Sequence, residues 1–334
     1  STSVRPCASK CCSARSSASS PRDFVVTIDA NLLLQAAQHV AGGQQYPKGA
    51  LYLIATPIGN LADITLRAVQ ALTLADVVAC EDTRVTGGFL RHLGMDKRLV
   101  PLHQHNEVGG AQALIELMLA GQRVAYVSDA GTPAVSDPGA HLVQAAQAAG
   151  LTVVPLPGAS SVTTAMSVAG DTVAQGFRFL GFLPSKGAAR QTLLREVAGQ
   201  SCSLVLFEAP HRIEALARDL VEVLPTGRLT LCRELTKQFE EIATLPVADF
   251  PAWLTAEPHR QRGEFVIVVH AQPEAAAETL LTAPQATLLQ TLVQHLPVKQ
   301  AAGLLSDVTG LPRKALYEQA LAYRTATDAH DADD

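Results

Sequence analysis

Short apolar runs alternate with longer amphipathic segments from residue 51 onward. Four runs are each closed by turn residues, which is typical of buried parallel strands: LYLIAT (51–56), DVVAC (76–80), RVAYVS (123–128) and TVVP (152–155). The segments between them have the apolar period of helices, at 66–75, 109–121 and 140–150. Because strands that alternate with helices form a parallel sheet, the pattern predicts an α/β domain over residues 49–155.

The pattern becomes less regular after PLPGASS (155–161). Apolar runs predict strands at 177–182, 203–208, 228–234 and 264–270, with helices near 188–198 and 211–224. The segment FEEIATLP (239–246) is typical of an added, antiparallel strand. The sequence therefore predicts a second α/β domain, residues 156–271, with a mixed sheet.

The two ends of the chain differ from this body. Residues 1–48 begin with a Ser-, Ala- and Cys-rich, basic segment, and we interpret them as an extension that is disordered, a transit peptide or an expression remnant. One short helix is predicted within it, at 31–43. Beyond a linker-like segment, two helices about Gly310 predict a helix-turn-helix-like module over 279–325, followed by an acidic tail, 326–334. A helical hairpin packed on the body or on a dimer partner is the alternative.

Composition narrows the class of protein. The 334 residues are 48% hydrophobic and 17% charged, as in soluble globular proteins, and the apolar runs are shorter than the roughly 20 residues of a membrane span. We therefore expect a cytoplasmic protein. The formal net charge of −5 means that a nucleic-acid partner needs a local basic patch. The six cysteines form no CxxC pair, which favours buried thiols over a metal site.

Four loops follow the carboxyl ends of the predicted strands of the first domain. They are PIGNLADIT (57–65), EDTR (81–84), SDAGTPAVSDPG (128–139) and PLPGASS (155–161). Ligands of parallel sheets bind at this edge, although a single loop of this kind is equally well explained as a structural turn. No phosphate-binding GxxxxGK[ST] occurs, and no GxGxxG follows the first strand. The loops instead favour a small ligand with hydroxyls and positive charge.

Nine motifs together resemble the ribosomal RNA small-subunit methyltransferase I family, whose fold is of the tetrapyrrole methylase type. They are TPIGNLADIT (56–65), EDTR (81–84), HQHNE (103–107), VSDAGTPAVSDPG (127–139), PLPGAS (155–160), GFLP (181–184), FEAPHR (207–212), RELTK (233–237) and GEFVIVV (263–269). Their order and spacing extend the resemblance from about residue 49 to residue 325.

The resemblance implies two α/β domains of the tetrapyrrole methylase type, S-adenosylmethionine in the cleft between them, and a homodimer. The donor-binding residues that it implies are Pro57, Ser128, Asp129, Gly131, Thr132, Val135, Pro157, Gly158, Ser160, Ser161, Phe207 and Glu208. The implied acceptor is the ribose 2′-hydroxyl of a cytidine in the decoding region of small-subunit (16S) rRNA, as free RNA or in the 30S subunit. The tetrapyrrole enzymes that this chain resembles have a G-G-D-P pattern in this loop, whereas this chain has Ala130-Gly131-Thr132-Pro133. This difference argues against a tetrapyrrole substrate.

Methyl transfer to a hydroxyl requires alignment of donor and acceptor and a group that takes the proton. The candidate catalytic residues are Glu107, Glu81, Asp82, Arg84, Glu234 and Lys237. A helix cap or internal ion pair is the alternative for EDTR. Lys237 is expected to lower the hydroxyl pKa or bind phosphate, and Glu234 to accept the proton. The two His of HQHNE lack the carboxylates of a metal site, so no metal is expected.

Binding of RNA requires cations that contact phosphates. The candidates are Arg67, Arg84, Lys186, Arg190, Arg212 and Lys237, together with Lys299, Arg313, Lys314 and Arg324 of the helical module. Two other functions stay open. One is a small-molecule methyltransferase that uses the same donor site, and the other is a donor-binding assembly factor without catalysis.

Overall fold

A computed structural model of the chain describes residues 29–102, 107–135, 139–198, 201–272 and 281–330. The first domain contains a five-stranded sheet in the order β3-β2-β4-β1-β5, and every described pair is parallel. Its strands are β1 (Ala50–Ile54), β2 (Val77–Cys80), β3 (Arg98–Pro101), β4 (Val124–Val127) and β5 (Thr152–Leu156). Its helices are α1 (Ala30–Ala41), α2 (Leu66–Leu74), α3 (Thr83–His92), α4 (Glu107–Leu119) and α5 (Ala140–Ala148). The predicted parallel sheet is confirmed.

Helices cover both faces of this sheet, which explains the unbroken apolar runs of its strands. In β2, Val78 and Cys80 enter the core beneath α1 and α2, whereas Val77 and Ala79 enter the core beneath α4 and α5. Successive side chains of a strand point to opposite faces, so a strand covered on both sides must be apolar at every position.

The second domain contains a mixed five-stranded sheet, as predicted. Its order is β6-β7-β10-β8-β9, in which β6 and β7 are parallel and the remaining pairs are antiparallel. The strands are β6 (Phe177–Phe182), β7 (Ser203–Glu208), β8 (Arg228–Arg233), β9 (Glu241–Pro246) and β10 (Phe265–Val269). The helices are α6 (Ser161–Ala169), α7 (Gly187–Val197), α8 (Ile213–Val223) and α9 (Phe250–Ala256).

Three helices with a core of their own form the C-terminal module: α10 (Ala283–His295), α11 (Val298–Thr309) and α12 (Arg313–His330). Gly310 ends α11 with φ +72°, and its N–H donates to Ser306. The sequence analysis predicted the two helices about Gly310 but not α10, although a capping box of Thr282 and Gln285 precedes it.

Residues 30–48 differ from the predicted extension because they pack on the first domain. Leu33 and Leu34 contact its core, Ala37 is buried in it, and the Gln38 and Gln70 side chains form a hydrogen bond of 2.9 Å. Residues 1–28, which include the Ser-rich segment, lie outside the described residues. The edge strand β3 and helix α3 were also absent from the prediction; β3 is only half-buried, so its apolar run is short.

The domains meet where the carboxyl edge of the first sheet faces one edge of the second. The end of β7, the end of β8 and the start of β10 lie side by side, because Phe265 is in register with both Glu208 and Arg233. Ile58 of the first domain contacts the apolar cluster that contains Leu235 of the second. Among the described helices none is long and apolar enough to cross a bilayer.

Candidate active site

The loops after β1 and β4 form one continuous floor. Thr56 and Gly131 exchange both backbone hydrogen bonds, at 2.9 and 3.1 Å, and the Thr56 hydroxyl donates to the carbonyl of Ser128 at 3.2 Å. Gly131 has φ +84°, a conformation that other residues rarely adopt. This backbone pairing gives the SDAGTP loop its position across the end of the sheet.

The loop after β2 is joined to the same floor through Asp129. Its Oδ1 accepts the backbone N–H of Asp82 at 3.2 Å. Burial raises the pKa of Asp129, and the nearby Asp82 charge adds to the rise against the opposing effect of the N–H donor. Asp129 is an exposed residue, so the cavity side of this loop presents its carboxylate to a ligand.

Asp82 itself caps helix α3, which was the structural alternative for EDTR. Its Oδ1 accepts the backbone N–H of Arg84 at 2.8 Å, and its Oδ2 lies 2.6 Å from the Arg84 guanidinium. Hydrogen bonds from Arg84 lower the pKa of Asp82 to about 2. A carboxylate that is this weakly basic is a poor proton acceptor near neutral pH.

The turn after β5 closes a third side. The Thr132 hydroxyl donates to the carbonyl of Ala159 at 3.1 Å. Gly158 lies so close to the first strand's loop that an added Cβ would stand 2.9 Å from the Cβ of Ala55. Helix α6 then starts at Ser161, with Ser160 as its N-cap residue, and the exposed Pro157 precedes this turn.

The loops after β1 and β4 and helix α3 line a cavity of about 180 Å³. Its lining residues are Thr56, Pro57, Gly59, Leu61, Val85, Thr86, Phe89, Ser128 and Asp129. Of the expected donor-binding residues, Pro57, Ser128 and Asp129 line it directly. The α3 residues were missed, although Val85 and Phe89 are four positions apart, as apolar residues on one helical face are. Val135 is 52% exposed and lies outside this lining.

The RELTK segment forms a strained turn at the edge of the second domain. Glu234 has φ +52° and Thr236 has φ +65°. The Lys237 Nζ lies 2.9 Å from Glu234 Oε1 and 3.0 Å from Glu264 Oε2. The backbone N–H of Glu264 also donates to Glu234 Oε1, at 2.9 Å. We call Lys237, Glu234 and Glu264 the lysine clamp.

Both charged states in the lysine clamp are stabilised. Burial raises the pKa of Glu234, but hydrogen bonds from Lys237 and the Glu264 N–H outweigh it, so the net pKa is lowered. Burial likewise lowers the pKa of Lys237, but the two carboxylates outweigh it and the net pKa is raised. Lys237 is therefore an ammonium, and Glu234 a carboxylate, at neutral pH.

Gly59 connects the lysine clamp to the cavity. A Cβ added at this position would stand 2.5 Å from Lys237 Cγ and 2.8 Å from Thr236 Oγ1. Gly59 also lines the cavity. The absence of a side chain thus brings the RELTK turn of the second domain against the cavity wall of the first.

The end of β7 carries the remaining two expected donor-binding residues. The Phe207 ring makes edge contacts with Phe179 and Phe182, at centroid distances of 4.9 and 5.7 Å. Glu208 is only 2% exposed; its Oε1 accepts the N–H of Ala209 and lies 3.1 Å from Arg212 Nε. Within the described ranges, Glu208 Oε2 is buried without a hydrogen-bond partner.

The structure corrects one of the expected RNA contacts, Arg190, and gives a second, Arg212, partners within the protein. Arg190 is 5% exposed, and its Nε lies 2.5 Å from Asp219 Oδ2 between α7 and α8, so it stabilises the fold and cannot reach a phosphate. Arg212 binds Glu208 and donates to the carbonyl of Leu183 at 2.6 Å. By contrast, Arg67, Arg84 and Lys186 are exposed.

The HQHNE motif lies largely outside the described residues. Residues 103–106 lie outside the described residues, and Glu107 begins α4 but its side chain is also outside them. In the part of the chain that the structure describes, no group of three or more His, Cys, Asp or Glu side chains is placed to hold a metal ion.

Two α/β domains with a cavity at the edge of the parallel sheet define the class of protein. Residues 50–251 match the family model of Tetrapyrrole (Corrin/Porphyrin) Methylases. Among solved structures, the methyltransferase CobJ is similar at 20% identity and a TM-score of 0.51, covering 67% of this chain and 94% of that one. This similarity concerns the fold alone. Residues 273–324 match the model described as the RsmI C-terminal HTH domain.

Curated relatives narrow the class to one family. Ribosomal RNA small subunit methyltransferase I of Vibrio cholerae is 44% identical over 82% of this chain and 96% of its own length. The same-named protein of Neisseria meningitidis serogroup B is 42% identical over 87% of this chain and 98% of its own. The chain therefore belongs to the ribosomal RNA small subunit methyltransferase I family, as its motifs predicted.

Proposed function

We propose that this protein transfers a methyl group from S-adenosylmethionine to the ribose 2′-hydroxyl of a cytidine in the decoding region of 16S rRNA. The observation that carries the proposal is the identity of 40% or more with ribosomal RNA small subunit methyltransferases over about four fifths of the chain. The matched region includes both the cavity of the first domain and the lysine clamp of the second.

The cavity fits S-adenosylmethionine in chemistry, because its lining combines apolar side chains with a few polar groups. Gly131 places no side chain in the space beside Ile58. Asp129 offers an exposed carboxylate to hydroxyl or cationic groups, and Glu208 Oε2 is a buried acceptor without a hydrogen-bond donor among the described residues.

The residues that hold the donor come from three loops and the end of β7. Pro57, Ser128 and Asp129 form the wall, and Gly131, Thr132 and Val135 continue it. The turn of Pro157, Gly158, Ser160 and Ser161 closes it, and Phe207 and Glu208 complete the site on the second domain. S-adenosylmethionine would supply an electrophilic methyl carbon. The hydroxyl oxygen would bond to that carbon in line with the breaking carbon–sulfur bond, S-adenosylhomocysteine would leave, and the hydroxyl proton would pass to a base. The protein's main contribution is alignment of the two reactants.

Lys237 stabilises the negative charge that develops on the attacking hydroxyl oxygen. Because two carboxylates hold it as an ammonium, it donates a hydrogen bond and cannot accept a proton. Glu234 positions Lys237, and its lowered pKa makes it a weak base. Asp82 and Arg84 hold the start of α3 against the cavity. Glu107, at the start of α4, and Glu81, at the start of EDTR, are the remaining candidates for the proton acceptor.

The assembled 30S subunit, a homodimer and a cytoplasmic location belong to the same proposal. Exposed Arg67, Arg84 and Lys186 supply phosphate contacts around the cavity, and Lys299, Arg313 and Lys314 line an open basic depression in the helical module. A small-molecule acceptor is not favoured, because the surface beside Lys237 is an open groove with several charged side chains.

The test is methyl transfer from labelled S-adenosylmethionine to small subunits and to naked 16S rRNA that lack their native modification. Mapping of the label to a cytidine ribose in the decoding region is the expected result. Donor binding without label on either substrate would contradict the proposal and support the non-catalytic or small-molecule function. Label on subunits alone would identify the assembled particle as the substrate.

A further inference from the structure

A second depression adjoins the lysine clamp at Glu234. It is an open groove of about 650 Å³. Its lining residues are Arg233, Glu234, Gln238, Phe239, Glu240, Glu241, His259, Arg262 and Gly263. Glu234 belongs to both the lysine clamp and this groove, because its side chain binds Lys237 and also lines the groove. The groove therefore begins where the clamp ends, and we call it the β8–β9 groove.

Phe239 is an exposed aromatic ring in this charged groove. It is 68% exposed, compared with 48% for Phe177 and 59% for Phe182. It follows Lys237 by two residues, so the two backbones are separated by about 7 Å at most. A large apolar side chain that stays in solvent beside charged groups is typical of a surface that a partner covers.

The Glu241 carboxylate in this groove is neutralised within the protein. Glu241 lies 2.8 Å from Arg260, 3.5 Å from Arg233 and 3.5 Å from His259. Arg260 in turn stacks on Trp253, 4.5 Å from its ring centroid. This network fixes the groove's floor and neutralises its central carboxylate.

Arg262 is the cation in the groove that is left available. Its carbonyl accepts a hydrogen bond from Arg233 at 3.3 Å, which holds its backbone in place. Its exposed guanidinium makes no ion pair with any residue in the described ranges. Phe239 and Arg262 line one groove, and an exposed aromatic face and an unpaired guanidinium are the two groups that bind single-stranded nucleic acid, one for the base and one for the phosphate.

We propose that the β8–β9 groove binds an unpaired nucleotide of the RNA next to the one that is methylated, with its base stacked on Phe239 and its phosphate on Arg262. This inference rests on the proposed function and names the path of the substrate beyond Lys237. Because every base has an aromatic face, the groove contributes affinity and direction for the strand, and the choice of cytidine is made elsewhere.

The test compares Phe239→Ala with Phe239→Trp and with Phe177→Ala, a matched control on the edge strand β6. Transfer to small subunits and binding of a fluorescent single-stranded RNA oligonucleotide are measured, with donor affinity in parallel. Phe239→Ala raises KM for the RNA and Kd for the oligonucleotide about tenfold, as loss of one stacked base does, and leaves kcat and donor affinity unchanged. Phe239→Trp and Phe177→Ala behave like the unmodified protein.

Arg262→Ala provides a second readout. It lowers the salt dependence of oligonucleotide binding by about one unit of the log–log slope, as loss of one phosphate contact does. Unchanged RNA affinity in both Phe239→Ala and Arg262→Ala overturns the inference, and loss of self-association in Phe239→Ala would assign the groove to a second copy of the chain. If the unmodified protein fails to methylate RNA, the proposed function fails, but oligonucleotide binding still decides the groove's role.

Discussion

The donor cavity and the lysine clamp lie side by side but are held together by different forces. The cavity is formed by backbone: Thr56 and Gly131 exchange hydrogen bonds, and glycines stand where side chains would intrude. The clamp is formed by side-chain charges, with one ammonium between two carboxylates at 2.9 and 3.0 Å. We therefore expect the cavity to be most sensitive to substitutions that add side-chain atoms at its glycines, and the lysine clamp to substitutions that remove a charge.

Gly59→Ala should have the largest effect, because Gly59 is where the two regions touch. Its new Cβ would stand 2.5 Å from Lys237 Cγ and 3.0 Å from the Leu235 carbonyl oxygen, so the RELTK turn must shift. We expect methyl transfer to fall about 100-fold, since a displacement of the order of 1 Å at a reacting centre has that cost. Steady-state kinetics of labelled methyl transfer measure it.

The control for Gly59→Ala is Gly43→Ala, because a Cβ added at Gly43 meets no atom within 4 Å. Thermal unfolding of both variants separates loss of alignment from loss of fold. If Gly59→Ala transferred methyl groups as fast as Gly43→Ala, the close approach of the two domains would have no part in catalysis.

Lys237→Ala should have the next largest effect and should act on transfer alone. The variant removes the ammonium and leaves Glu234 and Glu264 without their shared partner. We expect kcat to fall roughly 30-fold, below the 10²–10³-fold range for a buried oxyanion donor because Lys237 is partly exposed to solvent. Donor affinity, measured by calorimetry, should stay unchanged because Lys237 is absent from the cavity lining.

The matched control for Lys237→Ala is Glu264→Ala, in which Lys237 keeps Glu234 as its partner. The decrease in kcat of Glu264→Ala should be small, because the Glu264 carboxylate is largely exposed. If Lys237→Ala lowered donor affinity and preserved kcat, Lys237 would be a residue that binds S-adenosylmethionine and not one that acts on the acceptor hydroxyl.

Asp129→Ala should weaken donor binding about tenfold, because hydrogen bonds to charged groups contribute about 1.5–3 kcal/mol. Asp129→Asn distinguishes charge from geometry, since an amide oxygen can still accept the Asp82 N–H. Calorimetric titration with S-adenosylmethionine gives both affinities. Unchanged affinity in Asp129→Ala would remove the SDAGTP loop from the donor site.

The cavity was more predictable from sequence than the clamp, for a topological reason. Loops after parallel strands share one edge of the sheet, so the loops after β1, β2, β4 and β5 had to converge wherever the helices packed. The α3 wall was missed because Gly87 and Gly88 weaken its helical signal, although Val85 and Phe89 mark its apolar face.

The clamp depends on contacts between residues far apart in the chain. Gly59 contacts the RELTK turn, which is more than 170 positions further along the chain. Glu234 and Thr236 have positive φ, although Glu and Thr are not residue types from which a positive φ is predicted. The burial of Arg190 was also unpredictable from local sequence. Its burial follows from Asp219 on a neighbouring helix, and no local pattern distinguishes it from a surface cation.

The smallest effect, and the sharpest contrast, should be in the pH dependence of stability. The folded pKa of Glu234 is lowered, so its contribution to stability is present above its unfolded pKa of about 4.3 and is lost as the pH falls through the lowered value. The folded pKa of Asp129 is raised, so its ionisation opposes folding as the pH rises. The ionisation of Glu234 therefore stabilises the fold, whereas the ionisation of Asp129 destabilises it.

Chemical denaturation of Glu234→Gln and Asp129→Asn between pH 3 and pH 8 tests this opposition. At pH 7, Glu234→Gln should be less stable than the unmodified protein and Asp129→Asn more stable, each by no more than about 1 kcal/mol for these partly exposed groups. Both differences should shrink toward pH 3, as the wild-type carboxylates take up protons. If Glu234→Gln were also more stable than the unmodified protein, burial and not the lysine clamp would govern the pKa of Glu234. If Asp129→Asn were also less stable, the hydrogen bond from the Asp82 N–H would outweigh the desolvation of Asp129.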